Sequence, residues 1–347
     1  MSYGLNFIKM SNSIKIVFIG RLNENRIERR VVDNACKELA DFNIFSVDIL
    51  SSKNSVYYTM KSLMGASVLV VHSPLVLSFP YILFAYIRGC KIYAFIWDFY
   101  PVKIYNKYYK FGLKRFLKDK VENSLLFLID KLIIPSDDFS VFYPLFDKVK
   151  MRIWPKIGLV YDRKSILLND RSSKIIKIIF AGQINETRGL AESISLIKAK
   201  INDPFVIYVA SASSNLDEYL MQIESVVFLG ELTNCELIQL YKECNFGLVS
   251  LSLGFDGPAF PSKTFDYLSA GLPILYCGPY LHDYLSMISD SGVGIDISSL
   301  THIDMNLFNR MICNFSEKTK KFESFACFDA EDFKNLLIKD ESNEFQK

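Results

Sequence analysis

Residues 258–278 read PAFPSKTFDYLSAGLPILYCG, a turn, a short helix and a buried strand in immediate succession. Pro258 and Pro261 interrupt regular structure, and Ser262 stands where an N-cap would, ahead of a first helical turn of Lys263, Thr264, Phe265 and Asp266. Gly271-Leu272-Pro273 ends that helix, and the apolar run Ile274 to Cys277 is short enough to be a strand buried on both faces. This order sets an exposed helix N-terminus beside a parallel strand. The backbone N–H groups of Ser262, Lys263 and Thr264, the helix dipole and the Lys263 ammonium together suit a diphosphate. Asp266, one turn further on, can accept from sugar hydroxyls.

Working outward, strand-like apolar runs alternate with amphipathic segments. IKIVFIG, NIFSVDIL, SVLVVH, KIYAFIW and KLIIP occupy the first half, and IIKIIFAG, FVIYVA, SVVFLG, FGLVSL and PILYCG the second. Such alternation predicts α/β architecture with two doubly wound parallel-sheet domains. At 347 residues the chain exceeds what one core usually serves. We expect a first domain over 1–160, a second over 161–325, and a C-terminal helix over 326–347 that crosses back to the first before a frayed tail. The join falls near 151–174, where MRIWPKIGLVYDRKS precedes the polar DRSSK.

A net charge of +2 argues against a dedicated nucleic-acid binder, so no nucleic-acid partner is expected. The seven cysteines, at 36, 90, 235, 244, 277, 313 and 327, are scattered without a C-x-x-C pair, as in reduced cytosolic thiols used as apolar filler. The first twenty residues lack a secretory progression, so a cytoplasmic location is expected. Ser62 to Tyr86 is uncharged and long enough to span a bilayer, but His72-Ser73-Pro74 and Pro80 divide it into a buried strand and a core helix.

The motifs in order resemble retaining GT-B glycosyltransferases of the family 4 type, in the bacterial surface-polysaccharide subgroup. IKIVFIGRLNENRIERRVVDNACKEL (14–39) is similar to the family's first strand, acceptor-side loop and first helix, and IIFAGQINETRGLAESISLI (178–197) to the segment opening its second domain. VFLGELTNCELIQLYKECNFGLVSLS (227–252), with Thr233-x-x-Glu236 as a capping box, resembles the stretch before the donor site. The resemblance covers most of 14–300 and implies the GT-B fold, two Rossmann-like domains facing a central cleft. The implied reaction moves a sugar from a nucleoside diphosphate sugar to a hydroxyl of a glycan or a polyprenyl-diphosphate-linked oligosaccharide.

Residue by residue, the resemblance assigns Asp266 to the donor ribose, at the second glutamate of the family's Glu-x7-Glu motif. The first glutamate falls on Pro258, leaving Asp256 and the amides of Gly257 and Ala259 for the transferred sugar. Arg188 matches the lysine of the G-R-x-x-x-x-K pattern and keeps its charge, with a fork suited to phosphate. Gln183 replaces that pattern's arginine and offers a neutral donor. Leaving-group stabilisation then rests on Arg188, Lys263 and the amides at 262–264. In KIYAFIWDFYP (91–101), Trp97 stands at the position of the family's histidine and Asp98 persists, either to orient the acceptor hydroxyl or as an Asx turn. Gly20 to Arg26 form the acceptor loop. His72 reads as a satisfied core or loop histidine, and His282 and His302 as incidental.

No metal site is expected, because the histidines lie far apart and no D-x-D appears near the donor segment. No organic cofactor is expected either, since FIGRLNENR lacks the dinucleotide glycine fingerprint. Lys103 to Lys120, KIYNKYYKFGLKRFLKDK, has seven basic residues against one acid, interleaved with aromatics. Two readings stand for it: peripheral contact with an anionic membrane, or a helix with a solvated basic face. With Pro258, Gln183 and Trp97 substituted, a catalytically silent homologue acting as a partner subunit or glycan-binding module is the alternative to an enzyme.

Overall fold

Parallel strands must be joined by crossovers, and the alternating pattern supplies one after nearly every strand. The structure, a computed structural model, describes residues 14–20, 27–39, 42–48, 55–97, 103–108, 112–151, 175–212, 223–327 and 331–337. In the first half the strands are β1 (Lys15–Gly20), β2 (Asn43–Asp48), β3 (Val68–His72), β4 (Lys91–Phe95), β5 (Lys103–Ile104), β6 (Lys107–Tyr108), β7 (Lys131–Ile134) and β8 (Lys148–Lys150). The helices are α1 (Ile27–Glu38), α2 (Ser55–Leu63), α3 (Phe79–Ile87) and α4 (Leu113–Leu126). Six of these strands form a parallel sheet in the order β2-β1-β3-β4-β7-β8.

The second half repeats the plan with β9 (Ile176–Ala181), β10 (Phe205–Ala210), β11 (Val226–Gly230), β12 (Phe246–Ser250), β13 (Phe255–Asp256), β14 (Ile274–Cys277) and β15 (Gly294–Asp296). Its helices are α5 (Leu190–Lys200), α6 (Asn234–Glu243), α7 (Lys263–Ser269), α8 (His282–Ser291), α9 (Met305–Ile312) and α10 (Phe315–Ala326). The second sheet is also parallel and six-stranded, in the order β11-β10-β9-β12-β14-β15. These two doubly wound sheets are the expected fold class. Burial follows position: every residue of β3, β12 and β14 is buried, whereas the edge strand β2 mixes exposed and half-buried residues.

Ser62 to Tyr86 resolves into the end of α2, all of β3 and most of α3. No helix among the described residues is long and apolar enough to cross a membrane. The helix at 331–337 brings Phe333 to 6.4 Å from Phe18 of β1, ring centre to ring centre. Two features were not foreseen from sequence. The short edge strands β8 and β15 extend each sheet, and a small antiparallel sheet, β13-β5-β6, lies outside both.

Candidate functional site

In each large sheet the strand order reverses at one point. It lies between β1 and β3 in the first and between β9 and β12 in the second. Crevices outside the carboxyl ends of strands at such points are where open α/β sheets receive ligands. Gly20 and His72 end β1 and β3, while Ala181 and Ser250 end β9 and β12.

The small third sheet turns these carboxyl edges toward each other. Its hairpin β5–β6 lies in the connection that leaves the carboxyl end of β4, and β13 in the connection that leaves β12. The two pair antiparallel, Phe255 with Ile104 and Asp256 with Lys103. Tyr105 and Asn106 make the hairpin turn with φ of 46° and 62°, both left-handed as a type I′ turn requires. The Tyr105 amide donates to the Gly254 carbonyl at 2.8 Å, and its hydroxyl donates to Glu192 Oε1 at 2.6 Å. Glu192 Oε2 in turn accepts from the Leu253 amide at 2.8 Å. Gly254 permits this contact, since a Cβ there would lie 2.5 Å from the Tyr105 ring.

A second link joins the halves through reciprocal capping. Asp283 Oδ2, at the start of α8, accepts from the Asp137 amide, and Asp138 Oδ2 accepts from the Asp283 amide at 3.1 Å. Lys150 Nζ bridges Asp137 and Asp283 at 2.8 and 3.0 Å.

The loop 182–189 after β9 carries Gln183 and Arg188, both exposed. Backbone packing fixes it: the Ser252 amide donates to the Thr187 carbonyl at 3.0 Å, and the Ser250 hydroxyl to the Arg188 carbonyl. Gly189 follows at a φ of +54°, where a Cβ would come within 2.5 Å of Ser252 Cα. The Arg188 backbone is thus stitched to the loop after β12, the loop that leads to α7.

Helix α7 is anchored from below. Tyr267 is fully buried under Gly247 of β12, and its hydroxyl accepts from the Ala181 amide at 2.8 Å. At its exposed start, Lys263 Nζ and Asp266 Oδ2 form an ion pair at 2.9 Å. Sequence reasoning gave these two residues separate ligand groups, and the structure pairs them with each other.

Three expectations need correction. Ser262 makes no side-chain cap, because its φ of −66° and ψ of −26° are already helical, whereas a capping residue is extended. Thr264 does not face a ligand: it is buried, its hydroxyl shares a 2.6 Å hydrogen bond with Tyr284, and its amide donates to the Pro261 carbonyl at 3.3 Å. The segment 103–120 is not one basic helix, since 103–108 is the inter-sheet hairpin and α4 begins only at Leu113.

Of the remaining sugar-side residues, Asp256 is exposed on β13, and Gly257 and Ala259 are half-buried beside it. Gly20 ends β1, whereas Arg26 and Asp98 lie outside the described residues. The Thr233–Glu236 capping box is present in full at the start of α6.

At the first switch point His72 is a core histidine, as expected, but only one of its ring nitrogens is satisfied. Trp97 Nε1 donates to His72 Nδ1 at 2.9 Å, so the neutral imidazole carries its proton on Nε2. That buried Nε2 finds no hydrogen-bond partner among the described residues. Burial pushes the His72 pKa down to about 3. His72 is therefore a neutral N–H donor near neutral pH, and it lies beneath Gly20, where a Cβ would meet its ring at 2.8 Å. The Trp97 substitution was legible in sequence, but its bond to His72 depends on the adjacency of β3 and β4.

Among the described residues no group of three or more His, Cys, Asp and Glu is placed to hold a metal ion.

No known family profile and no curated protein sequence matches the chain. Solved structures do resemble it. The apo form of the lipopolysaccharide outer core galactosyltransferase WaaB matches with a TM-score of 0.57 at 11% identity, over 94% of this chain and 100% of that one. An O-GlcNAc transferase from Thermobaculum terrenum gives 0.58 at 10% identity, over 94% of this chain and 66% of that one. The N-terminal domain of a Candida albicans trehalose-6-phosphate phosphatase gives 0.57 at 10% identity, over 96% and 97%. At such identities the likeness establishes the fold, GT-B, and leaves the reaction to be argued from the site.

Proposed function

We propose that the chain is a glycosyltransferase that moves a sugar from a nucleoside diphosphate sugar to a hydroxyl of a glycan or a polyprenyl-diphosphate-linked oligosaccharide. The observation that carries this reading is the meeting of two switch-point edges, with Arg188 on the loop after β9 and Lys263 at the start of α7, both at the second one. Two cations on rigidly seated backbone suit the charge that gathers on a departing diphosphate.

In this mechanism Arg188, Lys263 and the amides of Ser262 and Lys263 hold the diphosphate, and Thr264 is left out. The donor displaces the Lys263–Asp266 pair, freeing the ammonium for phosphate and the carboxylate for ribose hydroxyls. Gln183 adds a neutral donor. The Asp256–Ala259 stretch, held in register by β5, lines the transferred sugar. Asp98 and the Gly20–Arg26 loop receive the acceptor. The anomeric C–O bond to the diphosphate breaks as the bond to the acceptor oxygen forms, and the acceptor proton passes to the leaving phosphate oxygen. His72, its Nε2 already protonated, is no base for that proton. Retention of configuration, a cytoplasmic location and a role in bacterial surface-polysaccharide synthesis complete the proposal on the strength of the motif resemblance.

The test is a thermal-shift screen of UDP, GDP, dTDP and CMP followed by turnover with the matching nucleotide sugar. A ligand at about a hundredfold its dissociation constant stabilises by about 2.7 kcal/mol, an easily read shift. Binding with transfer or donor hydrolysis supports the enzyme. Binding without any turnover supports the silent homologue, and no binding contradicts the enzyme.

A further inference from the structure

Helix α3, FPYILFAYI, is apolar on every face. Its inner side, Tyr81, Ile82 and Ala85, is buried in the first domain's core. Nothing polar remains for the outer side, where Phe79, Leu83, Tyr86 and Ile87 recur at helical spacing with Ile87 73% exposed. A helix apolar all round is normally covered on all sides. Helix α2 packs beside it and adds exposed Val56, with Met64 exposed just beyond its end.

Within the stretch that forms this face the charge has one sign. From Ile49 to Trp97 the chain has no aspartate or glutamate, while Lys61 and Arg88 are exposed at the ends of α2 and α3. On the neighbouring α4, Glu122 is turned inward, accepting from the amides of Leu75 and Val76 at 2.5 and 2.8 Å. Apolar and aromatic side chains bordered at one end by cations match the boundary of a bilayer bearing anionic headgroups. A second copy fits less well, because the same stretch offers no acid to meet these cations.

We infer that the outer face of α2 and α3 is the surface by which this protein docks on an anionic lipid membrane. It rests on the proposed function and deepens it, naming the lipid surface at which a lipid-linked acceptor is met, and it moves membrane contact away from the 103–108 hairpin, which is engaged with the second domain.

The experiment is co-sedimentation of the full chain with vesicles of phosphatidylglycerol and phosphatidylcholine, and of phosphatidylcholine alone. Wild type should bind the mixed vesicles at least about tenfold more tightly than the neutral ones, with the preference lost at high salt. Met64→Glu/Ile87→Glu, at exposed positions, should lose binding to both vesicle types. Lys61→Glu/Arg88→Glu should lose only the anionic preference, and Lys107→Glu should bind as wild type does. Unchanged binding in Met64→Glu/Ile87→Glu, or no binding by wild type, overturns the inference. A wild-type dimer that this double variant makes monomeric would reassign the face to self-association and also overturn it. Nucleotide-induced thermal shifts, measured on the same variants, report the donor reading separately, so failure of one does not pass for failure of the other.

Discussion

Replacing Gly247 by alanine probes how the core of the second domain positions the donor-side cation. A Cβ there would sit 2.4 Å from Tyr267 Cγ and 2.9 Å from Tyr267 Cβ. Carbon atoms rest at about 3.5–4.0 Å, so one partner must retreat by about 1 Å or more. The strand is held, because the Gly247 amide donates to the Pro273 carbonyl at 3.0 Å. The clash is with the base of the side chain, which no rotamer change relieves, so α7 must shift and the Tyr267 bond to Ala181 is lost. Overpacking of this kind costs about 1–3 kcal/mol. Removing the ring in Tyr267→Ala costs about 3–5 kcal/mol by analogy with other large aromatic truncations. In the double variant the clash with the ring atoms is gone and only the 2.9 Å approach to Cβ remains. Urea unfolding should therefore show the double variant more stable than the sum of the single effects predicts, by at least about 1 kcal/mol. Gly247→Ala should also weaken nucleotide binding, because α7 carries Lys263. Strict additivity of the two substitutions would refute the packing argument. Unchanged nucleotide affinity in a folded Gly247→Ala would refute the claim that this packing positions Lys263.

Further outcomes follow from other contacts. Tyr105→Phe removes the bond to Glu192 that restrains the Leu253–Asp256 stretch, so steady-state kinetics should show a severalfold rise in donor KM with kcat less affected; an unchanged KM would contradict that role. His72 is lowered from 6.5 to about 3, so the unfolded chain takes up its proton first. Stability is complete above pH 6.5 and falls toward pH 3 by about 1.4 kcal/mol per unit from this group alone. His72→Gln should flatten the slope of unfolding free energy between pH 6 and 5, and an unaltered slope would show that the imidazole is not buried neutral. Turnover should persist in EDTA, since in the proposed mechanism Arg188 and Lys263 supply the leaving-group charge; strict dependence on added Mg²⁺ or Mn²⁺ would contradict that assignment.

The fold was legible because hydrophobic period and turn chemistry agree along most of the chain. Runs such as SVLVVH and PILYCG are too short for helices and too apolar for loops, and each became a buried central strand. β5, β6 and β13 were not legible, as two residues of strand have no period and their pairing is between distant segments. The same limit applies to the site. Arg188 could be placed after the first strand of the second half and Lys263 in a first helical turn from local sequence, but the Lys263–Asp266 pair, the burial of Thr264 under Tyr284 and the tie of Tyr105 to Glu192 depend on tertiary neighbours. His72 could be read as a core histidine, but not its tautomer, because the donor that fixes it is Trp97, just beyond the end of the adjacent strand.

The central claim is that Arg188 and Lys263 hold a nucleoside diphosphate. Titration calorimetry with the nucleotide selected by thermal shift, on wild type, Arg188→Ala and Lys263→Ala, tests it most directly when paired with turnover of the matching nucleotide sugar. Each variant should remain folded, bind the nucleoside diphosphate at least about tenfold more weakly, and turn over about a hundredfold or more slowly. Wild-type affinity and rate in both folded variants would contradict the account.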